Sequence, residues 1–148
     1  MSGLDHIGLN VPDVPAAAAF LTEAFGAREL FSMDPFADPA AMTRIGGPSG
    51  ASLRLTMLEL GGGRVELLGW AGQGVSADAV PPDSSLPGGA HLAVEVDDVA
   101  ATLARVGAMP GVEVLSDPVT FTEGPTPGLT NAFLRTGWGL LVELVSWG

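Results

Sequence analysis

The chain has 148 residues, of which 47% are hydrophobic and 16% charged; it has no cysteine and a formal net charge of −11. That length and apolar content suit one domain with a sizeable core and argue against disorder, while the lack of cysteine excludes disulfides, thiolate catalysis and zinc-finger sites. The six basic residues are all arginines, too few for the basic surface that nucleic acid or an anionic membrane demands; no apolar run reaches the roughly 18 residues of a spanning helix, and no basic stretch leads into an apolar one at the start, so a cytoplasmic protein without a signal peptide is expected.

In chain order, Leu4–Val11 is rich in Leu, Ile and Val and reads as a strand carrying His6. Val14–Phe25 reads as a helix, with Phe20, Leu21 and Phe25 on one face, Asp13 placed as its cap, Pro15 in the first turn and Gly26 at its end. Ala27–Met33 is a strand, and Asp34–Gly50, with three prolines and several glycines, is a long loop. Ala51–Leu60 and Arg64–Trp70 are strands joined at Gly61-Gly62-Gly63. Residues 71–89, rich in Gly, Pro, Ser and Asp, form a linker between a first module (1–70) and a second (90–148). The second module repeats the order: strand Ala90–Val96, helix Val99–Val106, strand Val112–Leu115, a loop through Asp117–Gly128, then strands Leu129–Arg135 and Leu140–Trp147.

The repeat is also visible residue by residue. Leu4-Asp5-His6-Ile7-Gly8-Leu9-Asn10-Val11-Pro12-Asp13-Val14 returns as Ala90-His91-Leu92-Ala93-Val94-Glu95-Val96-Asp97-Asp98-Val99, with His6 and His91 85 positions apart. These are the only two histidines. Val65-Glu66-Leu67-Leu68-Gly69-Trp70 likewise returns as Val142-Glu143-Leu144-Val145-Ser146-Trp147. Internal repeats of this kind point to a module that cannot bury its open face alone. An α+β fold follows, in which two tandem βαβββ modules form a curved eight-stranded sheet around a cup, with helices on the outer side and Trp70 and Trp147 in core positions near its edge.

In a pseudo-twofold arrangement, His6, Glu66, His91 and Glu143 converge on one axis. Two imidazoles and two carboxylates make a mixed site for one first-row divalent ion: Ni, Co, Fe, Mn or Zn. A single strand histidine is more often a satisfied structural residue, and a single strand glutamate usually faces solvent. Yet both glutamates lie in apolar runs, where a carboxylate on a buried face requires a compensating charge. Four coincidences through one repeat favour the metal site.

Leu4-Asp5-His6-Ile7-Gly8-Leu9, Val65-Glu66-Leu67-Leu68, His91-Leu92-Ala93-Val94 and Leu141-Val142-Glu143-Leu144-Val145 resemble the vicinal oxygen chelate superfamily, which includes glyoxalase I, methylmalonyl-CoA epimerase, extradiol dioxygenases, fosfomycin-resistance enzymes and bleomycin-binding proteins. The resemblance covers nearly the whole chain and is nearest in pattern to glyoxalase I and methylmalonyl-CoA epimerase-like members. Glyoxalase I-like members use His/Glu/His/Glu, which is complete here; the epimerases typically carry glutamine at the place of Glu66, and the dioxygenases use two histidines and one glutamate. The resemblance implies a homodimer and a metal-dependent isomerase, epimerase or lyase that acts on a small-molecule substrate. A chelated carbonyl acidifies its neighbouring C–H bond, and a carboxylate, assigned to Glu143 with Glu66 as its counterpart, transfers the proton. An extradiol-type dioxygenase and a non-catalytic drug- or metabolite-binding protein are the alternatives.

With no lysine and a charge of −11, coenzyme A phosphates find few partners, so a relatively apolar or weakly anionic carbonyl compound is expected. Arg44 and Arg54 are candidates for holding one acidic group, or ordinary surface arginines. Met42 and Phe121 are candidates for apolar substrate contacts, or core residues.

Overall fold

Two units make up the chain, Met1–Ala79 and Val80–Gly148. The computed structural model describes residues 3–76 and 82–148; the part of the expected linker at 77–81 lies outside them. In the first unit, strand β1 (Ile7–Asn10) is followed by helix α1 (Val14–Phe25), strand β2 (Arg28–Phe36), helix α2 (Pro39–Arg44), and strands β3 (Ala51–Leu60) and β4 (Gly63–Gly72). In the second, β5 (His91–Glu95) is followed by α3 (Val99–Gly107), β6 (Glu113–Val114), β7 (Val119–Thr120), β8 (Leu129–Arg135) and β9 (Leu141–Trp147). No helix among the described residues is long and apolar enough to cross a membrane.

Each repeat begins its helix in the same way. Asp13 Oδ1 accepts from the Ala16 N–H at 2.9 Å, and Asp98 Oδ1 accepts from the Ala101 N–H at 2.9 Å; both supply an acceptor that the first turn otherwise lacks. Gly26, at φ 70°, closes α1 in the left-handed conformation that glycine adopts without strain. Replacing Asp13 with Ala is expected to lower unfolding free energy by about 0.5–2 kcal/mol. Urea denaturation reads this directly, and an unchanged midpoint would mean that the cap adds nothing.

The sequence expectation of a loop over Asp34–Gly50 is corrected by α2. Asp38 caps it, with its Oδ1 2.7 Å from the Ala41 N–H, and Pro39 occupies the first turn. Pro39, which reads as a breaker, serves here as a helix start. The Asp117–Gly128 loop similarly contains the two-residue strand β7, paired with β8.

The strands form two sheets rather than one hydrogen-bonded sheet of eight. The first has the order β1-β4-β3-β2 and the second β5-β9-β8-β6, with β7 also on β8. In each, the first strand runs parallel to the last and the remaining pairs are antiparallel. The duplication in sequence is thus a duplication of topology.

Strand alternation sorts each sheet into two faces. Val65 and Leu67 of β4 are buried on the face covered by α1, whose Val14, Ala17, Phe20, Leu21 and Ala24 are buried too. Gly69 shares this face; a Cβ there would lie 2.7 Å from a Val14 methyl. Val142 and Leu144 of β9 are fully buried, as are Ala132 and Leu134 of β8, which pair with them, and α3 packs on these strands. Glu66, Leu68 and Trp70, and equivalently Glu143 and Val145, belong to the opposite faces.

Candidate metal centre

His6 directly precedes β1, in step with Gly8 and Asn10, and Gly8 stands opposite Glu66 in the parallel β1–β4 register. The pairing brings His6 Nε2 to 3.5 Å from Glu66 Oε2. The other ring nitrogen, Nδ1, is 2.7 Å from Asp5 Oδ1, and Arg64 Nη1 donates to Asp5 Oδ2 at 3.2 Å. A chain of Arg64, Asp5, His6 and Glu66 therefore runs along one edge of the sheet. The hydrogen bond with Asp5 raises the His6 pKa above its ordinary value; partial desolvation opposes this and the Glu66 charge adds to it. The same hydrogen bond holds the Asp5 carboxyl below the usual carboxylate range, with Arg64 contributing.

The second unit repeats the pair with different supports. His91 opens β5, and Ala93 stands opposite Glu143 as Gly8 stands opposite Glu66. His91 Nε2 lies 3.3 Å from Glu143 Oε2. Asn131 Nδ2 donates to Glu143 Oε1 at 2.7 Å, and the His91 ring meets Phe133 edge-on at 6.2 Å.

The glutamate side chains are 19% and 15% exposed, the histidines 37% and 47%. Each carboxylate is therefore mostly withdrawn from water, between Gly8 and Met57 in one sheet and between Ala93 and Phe133 in the other. Such a group is costly without a counter-charge or hydrogen bonds. Two donor atoms bound to one ion at 2.0–2.2 Å stand about 3.0–3.5 Å apart when they are neighbours in its coordination shell. The N···O separations of both pairs match that spacing, so the donor sets fit a divalent ion. Among the described residues, no three His, Cys, Asp or Glu side chains gather as a group that could hold an ion; the donors come as pairs.

The remaining candidates fall in different places. Arg54 belongs to the α1 face of β3, opposite Gly69, and so to the reverse of the face that carries Glu66. Its Nη2 lies 3.7 Å from Asp34 Oδ1 in a cleft of about 530 Å³ between α1 and β2–β3. Arg54 is thus separated within this unit from the face of Glu66, because an odd number of residues along a strand changes the face. Arg44 is exposed in the last turn of α2. Met42 is fully buried and takes the core role, not the contact role. Phe121 is 39% exposed and follows β7, on the face of Asn131 and Glu143 by alternation.

The two tryptophans also differ. Trp70 Nε1 donates to Asn10 Oδ1 at 3.0 Å. Its ring packs so tightly on Gly47 that a Cβ there would lie 2.2 Å from it. Trp147 is 57% exposed and does not fill the core role expected of it.

Asp5 and Asn131 were not singled out from sequence. Asp5 stands next to His6 but has no counterpart in the repeat, and Asn131 lies in the strand Leu129–Arg135 beside another polar residue, Thr130, with nothing to set it apart.

Comparison with known proteins now places the fold. The family model described as the glyoxalase/bleomycin resistance protein/dioxygenase superfamily matches residues 3–144, and the chain belongs to that superfamily. It is 36% identical over 143 residues to a 2-epi-5-epi-valiolone epimerase from Actinomyces sp., across 95% of this chain and 77% of the relative. Among solved structures it resembles a glyoxalase family protein from Bacillus cereus, with a TM-score of 0.78 and 18% identity, covering 97% of this chain and 92% of the other. A fosfomycin resistance protein from Listeria monocytogenes, solved with Mn(II) and sulfate, has a TM-score of 0.60 and 21% identity, covering 99% and 93%. These two likenesses concern the fold.

Proposed function

We propose that this protein is a divalent-metal-dependent epimerase that moves a proton beside a carbonyl group of a small molecule. The observation that carries the proposal is the doubled pair: a histidine and a withdrawn glutamate, 3.5 and 3.3 Å apart, at equivalent places in both units. His6, Glu66, His91 and Glu143 are the residues that would hold the ion. When bound, the ion withdraws electron density from the carbonyl and so acidifies the neighbouring C–H bond.

The chain's own residues account for the rest. A carboxylate with apolar neighbours takes the C–H proton and gives it back, and return to the opposite face of that carbon inverts it. No electron is gained or lost overall. The 36% identical epimerase supports inversion over the lyase outcome. Glu66 supplies a second carboxylate, which favours proton transfer over extradiol cleavage on two histidines and one glutamate.

The charge of −11 favours a neutral or weakly anionic substrate, and the homodimer implied by the family resemblance is part of the same proposal. The test uses 2-epi-5-epi-valiolone in D2O, with Mn(II), Co(II), Ni(II) or Zn(II) supplied in turn. Deuterium is expected at the carbon next to the carbonyl, together with a second epimer. Failure to exchange with any of these ions would count against this substrate, and failure across a panel of hydroxylated ketones would count against the reaction.

A further inference from the structure

The two His–Glu pairs are equivalent in position but clamped on opposite members. In the first unit the histidine is held: Asp5 Oδ1 lies 2.7 Å from His6 Nδ1, and Arg64 fixes Asp5 in turn. In the second unit the glutamate is held, because Asn131 donates to Glu143 Oε1 at 2.7 Å. Neither clamp is copied by the repeat. Ala90 precedes His91, where Asp5 precedes His6. Met57 faces Glu66 as Phe133 faces Glu143, so two residues back along the strand Leu55 occupies the place of Asn131.

A third difference lies across the parallel strand. Gly8 stands opposite Glu66, whereas Ala93 stands opposite Glu143. A Cβ on Gly8 would come within 3.0 Å of Leu68 Cδ1 and 3.9 Å of Glu66 Oε2. The glycine therefore keeps clear a space beside Leu68 and Glu66.

We infer that Asn131 is a positioning residue that keeps Glu143 a fixed ligand, and that Glu66, with Leu55 in place of that amide, is the carboxylate that moves and carries the proton. This rests on the proposed reading of the two pairs as ligands of one ion, and it transfers the base role from Glu143, favoured on sequence, to Glu66. In the step, a substrate C–H bond breaks as an O–H bond forms on Glu66. The electron pair passes into the adjacent carbonyl, and the proton returns from Glu66 to the opposite face of the same carbon once the planar intermediate has turned. A charge-assisted amide–carboxylate bond of this length restricts the acceptor, and outer-sphere partners of this kind orient ligands and raise their affinity.

The experiment titrates the intact protein with Co(II), following visible absorption and heat, for wild type, Asn131→Leu, Asn131→Gln and Leu55→Asn, with circular dichroism as a check on folding. Asn131→Leu is expected to bind Co(II) about 10–100-fold more weakly, and Asn131→Gln to recover part of the loss. Leu55→Asn gives Glu66 the amide it lacks; it is expected to bind Co(II) at least as well as wild type while lowering kcat with little change in KM. Wild-type Co(II) affinity in Asn131→Leu overturns the clamp and leaves the proposed function standing, whereas a wild-type protein that binds no Co(II) overturns both. If Asn131→Leu does not fold, Leu55→Asn decides, and wild-type kcat there overturns the role given to Glu66.

Discussion

Replacing Glu66 with Gln is expected to slow exchange of the substrate proton with D2O by about 10²–10⁴-fold, the usual contribution of a positioned general base. The expectation comes from the surroundings of this residue. Its side chain is 19% exposed, its cross-strand neighbours are Gly8 and Met57, and its nearest charged partner is His6 at 3.5 Å. Gln keeps the size and one ligating oxygen but cannot accept a proton, so ion binding survives while exchange is lost. Glu143→Gln is expected to behave differently. The Asn131 amide donates to that carboxylate, and its replacement weakens ion binding first, so part of the lost exchange returns at high metal concentration. Proton NMR of the substrate in D2O, run at two metal concentrations for both variants, separates the cases. Wild-type exchange in Glu66→Gln would remove that residue from the chemistry.

Stripping the ion is expected to have the largest effect of all. Dialysis against a chelator should abolish exchange, and a divalent ion added back should restore it. The protein should also become easier to unfold without the ion, because a ligand that binds only the folded state stabilises it by about 2.7 kcal/mol at 100 times its Kd. His6→Ala and His91→Ala should each remove both the activity and the metal-dependent shift in Tm. His6 is the more informative of the two. Asp5 and Arg64 already fix its orientation, so its replacement removes an imidazole that is held in place by its own partners. Activity that survives complete removal of divalent ions would refute the metal-dependent reaction.

The sequence carried the topology further than the details of the site. The 85-residue offset between His6 and His91 anticipated two units with the same strand order, because a duplicated hydrophobic pattern imposes duplicated pairing. The caps of α1 and α3 were readable for a local reason: Asp13 and Asp98 act on backbone three residues away. What could not be read depended on register and on contacts distant in sequence. The face of β3 that carries Arg54 could not be read, because no local signal says which side α1 covers. Met42 looked like a loop residue until Asp38 and Pro39 proved to start the helix that contains it. Asn131 reaches Glu143 only because β8 pairs with β9 in one particular register, and nothing in the repeat marks it. The two glutamates are matched in sequence; the difference between them arises from these unmatched neighbours.

Metal stoichiometry tests most directly the proposal that both pairs serve one ion. Equilibrium dialysis against Mn(II) or Co(II), with metal quantified per chain, is predicted to give one ion for the wild type and none for His6→Ala or His91→Ala at the same free concentration. Two ions per chain, no ion at all, or a full ion retained when either histidine is removed would contradict a site shared by the two His–Glu pairs.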